Sequence, residues 1–400
     1  MSPSSPADAA PRHRPPAEKY QYAEAIPFAL AHAVCIGAIW TGVQGSDLAM
    51  AAGLYALRMF AVTAGYHRYF SHRAFKTGRA FQFILAFVAQ SSAQRGVLWW
   101  AAHHRHHHRY SDMDNDVHSP VRSGFWYAHL GWFFAKRHTR TDLAAVRDLA
   151  KYPELRWLDR HPYLPAVVAG FVVWLLAGWS GLVVGFFWST VALWHATFSI
   201  NSLAHVIGRR RYVTGDRSRN NWWLALLTFG EGWHNNHHHY HSAARQGFRW
   251  YEIDVSFYAL KALAAMGLVW DLRAPPADVV RGELPLRPAI VERAAALLVA
   301  SFQVERIAAD VRAQLAERLD EWRHRFDGHV ETMRRDLEAL IGAVHIPPMP
   351  SVSDLHARAA AMFARTPAMN EIVGRARQML IAGVCEAVLG GNRAAFAART

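Results

Sequence analysis

The sequence predicts an all-α membrane protein: four transmembrane helices in two hairpins, a cytoplasmic helical cap holding a histidine-rich two-metal site, and a C-terminal helical extension. Three observations lead there. Four apolar runs have about the length of a bilayer span. The connections between them fall into two that carry no Lys or Arg and three segments rich in both. Three histidine clusters stand just outside apolar segments and repeat a ligand-like spacing.

The first run is Ile26–Val43. After the turn Gln44–Asp47, the second, Leu48–Tyr66, leads straight into His67. Tyr163–Trp179 and Leu182–Phe198 follow, joined by Ser180-Gly181. Phe81–Val88 and Trp222–Phe229 are apolar but too short to span; the first is expected in the interface or packed under the site. Arg58 lies inside the second run, where a charge is expected to face protein or water rather than lipid. Gln44–Asp47 and Gly178–Gly181 carry no Lys or Arg, whereas the N-terminal tail, the loop from His72 to His161 and everything after His205 carry many. The positive-inside rule puts those three segments, and with them every cluster, in the cytoplasm.

Three domains are expected: residues 1–22 as a disordered cytoplasmic tail, 23–276 as the membrane domain with its cap, and 277–400 as the helical extension. The tail is Pro-, Ser- and Ala-rich and lacks the apolar core and cleavage site of a secretory signal. Pro275-Pro276 closes the second domain. The extension reads as helix from Leu286 to about Ala343, breaks at Pro347, Pro348 and Pro350, and resumes over Asp354–Ala395 without a chemical motif. The net charge of +13 on 400 residues asks for an anionic partner. The basic residues follow the membrane topology and no recognition module is visible, so membrane lipid is favoured over nucleic acid. Cys35 and Cys385 form no disulfide framework and suit a reducing compartment.

The stretch from Trp100 to Tyr110 holds five histidines within six positions. On a helix His104, His107 and His108 project from one face, and His234, His237 and His238 repeat that spacing. His67 and His72 precede them. Asn201 and His205 are four apart and share a helical face. So many imidazoles exceed the needs of one ion and fit a two-metal centre. Five residues of ideal helix turn about 500°, which leaves His67 and His72 about 140° apart. The second span is therefore expected to end between them. A redox metal with neutral imidazole ligands can activate oxygen, and the spans offer an apolar slot for a long acyl chain. Met59 and Tyr55 lie about 12–18 Å down the second span from His67 at 1.5 Å per residue, and Tyr55 is expected to close the far end of that slot.

His67-x-x-x-x-His72, His104-x-x-His107-His108 and His234-x-x-His237-His238 resemble the three histidine boxes of the membrane fatty acyl desaturases, in particular the stearoyl-CoA Δ9 group. Thr63-Ala-Gly-Tyr-His-Arg-Tyr-Phe-Ser-His72, Asn201-Ser-Leu-Ala-His-Val-Ile-Gly208 and Gly230-Glu-Gly-Trp-His-Asn-Asn-His-His238 extend the likeness, which covers roughly Ile26 to Arg273. His239-Tyr-His-Ser-Ala-Ala-Arg-Gln-Gly-Phe248 and Trp270-Asp-Leu-Arg273 resemble the bacterial branch, which implies the bacterial cytoplasmic membrane. The resemblance implies two iron ions held by His67, His72, His104, His107, His108, His205, His234, His237 and His238, with Asn201 acting through a bridging water. His103, His106, His118, His239 and His241 stand outside that implied set. His32, His129, His138, His161 and His195 match no ligand position, and packing or solvation is expected of them.

The implied reaction is an oxygen-dependent desaturation that places a cis double bond, of the Δ9 type, in a saturated acyl chain on CoA or phospholipid. No flavin, haem or ferredoxin motif is evident, so the electron donor, of ferredoxin or cytochrome/reductase type, is expected to be a separate protein. Two rivals stand beside this reading. A membrane di-iron hydroxylase would leave an alcohol, and a non-enzymatic membrane metal-binding protein would string its ligands along a path through the bilayer.

Overall fold

The computed structural model describes residues 20–283, together with Ala289, Ile290, Ala313 and Ala316. The expected N-terminal tail to residue 19 and nearly all of the expected extension lie outside the described residues. The chain divides into two compact units: residues 1–208 with 221–274, and residues 209–220 with 275–400. Every histidine of the three boxes belongs to the first.

The first unit is helical. Helix α1 spans Tyr22–Ile36 and a further turn, Ala38–Thr41, follows it. Gly42 then takes φ +75°, a left-handed value that ends the helix. The apolar helix Ala25–Thr41 is consequently 17 residues at most, shorter than the expected Ile26–Val43 span. Helix α2 spans Gly45–Phe60 and runs on without a break through a widened, π-type stretch, Ala61–Ser71. At its start Gln44 and Asp47 cap each other reciprocally. Helix α3, Arg79–Gln90, buries Leu85, Ala86 and Ala89 against the π-type stretch; Leu85 fills the space that a side chain at Gly65 would need. Helix α4 is Val97–Tyr110 and α5 is Pro153–Arg160.

Helix α6, Leu164–Ser180, continues as a π-type stretch, Gly181–Trp188, and then as α7, Ser189–Ser202. Gly178 breaks this run with φ 62° and ψ −156°, a backbone open in practice only to glycine. The chain reverses there, and Ala166 and Val173 on one arm pack against Phe186 on the other. Two helical stretches are long and apolar enough to cross a membrane, Gly45–Ser71 and Leu164–His205. The second contains the expected run Leu182–Phe198 and all but the first residue of Tyr163–Trp179.

Arg58 is buried in α2, as expected of an intramembrane charge. It donates to Thr190 Oγ1 at 2.6 Å, Ser189 Oγ at 2.5 Å, Leu54 O at 3.1 Å, and Ser91 O and Phe186 O at 3.4 Å. No carboxylate bonds to it among the described residues. Its guanidinium ties α2 to the point where the widened 181–188 stretch leaves carbonyls to be satisfied.

Short elements complete the unit. Helix α8 is Trp222–Leu227, α9 is His234–His239 and α10 is Val255–Ala265. Strands β1, Lys76–Thr77, and β2, Val269–Trp270, pair antiparallel and tie the segment after α2 to the segment after α10. The second unit holds the bridge Arg209–Asn220 and the short helix Ala277–Arg281, with Tyr212 Oη donating to Val280 O at 2.8 Å.

Candidate metal centre

Helix α2 does not end between His67 and His72. From Ala61 its hydrogen-bonding repeat lengthens to five residues, so that His72 N bonds His67 O at 3.2 Å. A five-residue repeat brings residues five apart nearly into register. The two rings thus share a face, their centroids 4.8 Å apart. The expected break is replaced by a local widening of the helix, every residue of which is buried.

Helix α4 supplies His104, His107 and His108. Its N-terminus is secured from outside. Val97 N donates to Gln90 Oε1 at 3.1 Å, while Leu98 N and Trp99 N donate to Asp159 Oδ1 at 3.0 and 2.9 Å. Two neighbouring helices therefore satisfy the amides that a helix start leaves open. Helix α9 supplies His234, His237 and His238. It follows Gly230-Glu231-Gly232, a turn packed so closely that a side chain at 230 would overlap Asp254 and Arg68.

These elements, with the short turn Leu203–His205 that follows α7, bring nine histidines into two groups. His67, His72, His104, His108 and His237 form one; His107, His205, His234 and His238 form the other. In the first, Nε2 atoms face Nε2 atoms: His72 to His104 at 2.8 Å, His104 to His108 at 3.0 Å, His108 to His237 at 2.9 Å and His237 to His67 at 3.0 Å. In the second, His205 Nε2 lies 3.0 Å from His234 Nε2. His107 Nε2 is buried with no hydrogen-bond partner.

The far sides of three rings explain why those nitrogens point inward. His67 Nδ1 contacts Glu231 Oε2, His107 Nδ1 lies 2.9 Å from Asp116 Oδ1, and His205 Nδ1 lies 2.9 Å from Asp112 Oδ2. A carboxylate holds the proton on Nδ1 and leaves the Nε2 lone pair facing its group. Lone pairs crowded at about 3 Å repel one another unless a cation sits among them, so the donor set fits a pair of metal ions. Burial first, then neighbouring imidazoles, pushes His72, His104, His108 and His237 well below the ordinary imidazole value. Each is thereby kept in the neutral form that ligates.

Burial by itself would raise the Glu231 carboxyl. His67 and Arg68 outweigh it and hold the group below its ordinary value. Arg68 is fully buried and bonds Glu231 Oε1 at 3.0 Å and Asp254 Oδ1 at 2.9 Å. Asp254 also accepts from Gln246 N at 2.7 Å. Asp112, Asp116, Glu231 and Asp159 are the residues that reading the boxes alone overlooks. The signal was present for three of them, since these carboxylates lie within the boxes or a few positions after them.

The remaining histidines divide. His103 turns away, its Nδ1 on Trp99 O at 2.9 Å, and burial takes its ring down to about 4. His106 bonds Asn115 O at 2.8 Å. His118 stacks on His107 with centroids 4.2 Å apart and forms a third, overlapping group with His107 and Asp116. His239 and His241 stand outside the groups, although the His241 ring lies 5.5 Å from those of His72 and His108.

A cavity of about 660 Å³ adjoins the centre, within the usual range for ligand sites of about 300–1,000 Å³. Its wall is largely apolar, drawn from α1, α6, the 181–188 stretch and α7. A smaller pocket sits among the histidines, and Trp100, His104, His118, Thr197 and Asn201 line both. Asn201 therefore stands where the two spaces meet. The slot expected along α2 is corrected here, because no residue of Gly45–Ser71 lines the large cavity. Tyr55 instead faces α8, its hydroxyl donating to Leu227 O at 2.7 Å and its ring edge-on to Phe229. Met59 lines only the small pocket.

Comparison with known proteins adds an independent finding. Residues 11–272 match the family model described as fatty acid desaturase. The chain is 35% identical over 245 residues to an sn-1 stearoyl-lipid 9-desaturase of Anabaena variabilis, covering 60% of this chain and 89% of that one. It is 36% identical over 252 residues to an acyl-CoA 5-desaturase of Anemone leveillei, covering 61% and 77%. It is 33% identical over 265 residues to a hex-5-enoyl-[acyl-carrier protein] acetylenase of Moorena producens, covering 61% and 82%.

Proposed function

We propose, for a chain that belongs to the fatty acid desaturase family, the oxygen-dependent desaturation of a long saturated acyl chain at the Δ9 position, giving a cis double bond. The observation that carries this reading is the placement of nine imidazoles in two groups, one of which reaches the wall of a large apolar cavity through His104. The acyl chain is carried on CoA or phospholipid, and its electrons come from a separate donor protein docked on the basic cytoplasmic surface.

The residues proposed to hold two iron ions are His67, His72, His104, His108 and His237 at one, and His107, His205, His234 and His238 at the other, with Asn201 acting through water. Iron in such a site supplies the capacity to activate oxygen for cleavage of an unactivated C–H bond. The protein does the rest. Glu231, Asp116 and Asp112 fix ring tautomer and orientation. Trp100, Thr197 and Asn201 position the reacting methylenes where the cavity meets the histidines, and the apolar wall excludes water. The overall balance is one O2, two substrate C–H bonds, two donor electrons and two protons giving an alkene and two waters.

The proposed arrangement has four spans: α1 with its added turn, α2, and the two arms either side of Gly178, with both termini and the metal centre in the cytoplasm. Residues 23–276 form the desaturase domain in this proposal. Expression in a host lacking unsaturated fatty acids, with mass spectrometry of its lipids, is the test. Loss of two hydrogens at one chain position supports the reading, and gain of an oxygen replaces it with hydroxylation. Comparing CoA and phospholipid pools early after induction assigns the carrier.

A further inference from the structure

Three histidines outside the metal centre are strung together beside the large cavity. His32 of α1 bonds Phe28 O through Nδ1 at 2.8 Å, and its Nε2 lies 3.0 Å from His195 Nε2 of α7. His195 Nδ1 lies 3.1 Å from Nε2 of His129, on the short helix Phe125–His129. His129 Nδ1 lies 2.9 Å from Ser202 Oγ, which donates to Phe198 O at 3.0 Å. Both nitrogens of every ring are engaged, and both ends of the chain are carbonyl oxygens.

Counting hydrogens gives the result. Each of the five contacts needs one hydrogen and one lone pair. Three neutral imidazoles and one hydroxyl carry four hydrogens between them. A neutral chain therefore always leaves one contact as two lone pairs face to face, wherever the tautomers are placed. A fifth hydrogen completes every contact and makes one ring an imidazolium. Shifting hydrogens along the chain moves that charge from His32 to His129 without any ring rotating.

The groups facing the chain are aromatic. Phe28 and Trp194 lie against His32, Phe28 and Phe198 against His195, and Phe125, Trp126 and Phe198 against His129. Among the described residues no Asp, Glu, Lys or Arg bonds to any of the three rings. Burial, then the His195 charge, pushes His129 toward the neutral form, and a bond to Phe198 O only partly offsets this; the hydrogen count also pulls toward the charged form.

We propose that His32, His195, His129 and Ser202 form a proton-loading chain that holds one hydrogen beyond the neutral complement and supplies it to the reduction of oxygen at the neighbouring centre. The second half rests on the proposed desaturation, which consumes two protons per double bond and otherwise has no assigned donor. Ser202, the inner end, is fully buried and adjoins Asn201, where the cavity meets the histidine pocket. Phe28, Trp194 and Phe198, which pack on the chain, line the same cavity.

The full-length protein carrying 15N-labelled histidine tests the loading by NMR at pH 7. One doubly protonated ring is expected in this chain, absent from His195→Asn. Without the middle ring His32 meets Phe28 O, His129 meets Ser202 and Ser202 meets Phe198 O, three contacts for three hydrogens, so the chain is complete when neutral. A wild-type chain with no doubly protonated ring, or one that persists in His195→Asn, overturns the proposal. Double-bond formation against pH tests the delivery. His195→Asn is expected to fall at least fivefold further behind wild type at pH 8 than at pH 6. An equal loss at every pH means a packing role only and overturns the donor role. Wild-type protein that loads the proton but forms no double bond at any pH overturns the desaturase reading and the donor role, leaving the loading result intact.

Discussion

Asp159 is expected to control the metal centre from a distance. Its Oδ1 accepts from the amides of Leu98 and Trp99, and Oδ2 accepts from Thr141 Oγ1 at 2.8 Å. Substitution to Ala leaves two amides unpaired at about 1–3 kcal/mol each, so a loss of about 2–6 kcal/mol is expected. Asp159→Asn keeps an acceptor for the amides and should cost far less than Asp159→Ala. Because α4 carries His104, His107 and His108, Asp159→Ala should also lower bound metal per chain before global unfolding. Thermal unfolding in detergent, with metal analysis on the same samples, reads both effects. If Asp159→Ala melts with wild type and keeps its metal, the capping argument is wrong.

The same residue sets a pH dependence. Burial raises the Asp159 carboxyl above its ordinary value, and the bonds from Trp99, Thr141 and Leu98 only partly offset this. The folded protein therefore binds this proton more readily than the unfolded chain does. Its contribution to stability is complete below the ordinary carboxylate value and is lost as pH rises through the raised one. Asp159→Asn should flatten that part of the profile; an unchanged slope in the variant contradicts the assignment.

Other outcomes follow from the same geometry. Glu231→Ala leaves Arg68 buried beside Asp254 alone and frees the His67 ring, so a loss of about 3–5 kcal/mol is expected, read by denaturant unfolding. His104→Asn should remove about one metal equivalent per chain while His103→Asn leaves the content unchanged, a contrast that elemental analysis resolves. Ala166→Phe intrudes on the cavity wall and should shift products toward shorter acyl chains, visible in a lipid profile. Arg58→Met strips the hydroxyls of Ser189 and Thr190 of their charged donor. It should lower the melting temperature without altering metal content.

Much of the site was legible in the residues themselves. The spacing His104-x-x-His107-His108 marks one helical face, and the structure does place that helix over Val97–Tyr110. Other features resisted. His67 and His72 looked incompatible with one helix because an ideal 3.6-residue repeat was assumed, whereas α2 widens where Gly65 packs under Leu85. Tyr55 has the bulk and depth to close a slot, but neither says which face of a helix meets the cavity. The three histidines of the proton chain looked like packing, since His32 and His195 stand 163 positions apart.

Residue types fix the chemistry available: which runs are apolar, and that imidazoles gather just beyond them at recurring spacings. These are local properties, carried by residue type and by intervals of a few positions. Helix packing sets how the nine rings sort into two groups, which carboxylate backs which ring, and where the cavity lies. His67 meets His237 across 170 positions and His205 meets Asp112 across 93. Contacts at such separations depend on how whole helices pack, and no short-range pattern encodes that choice.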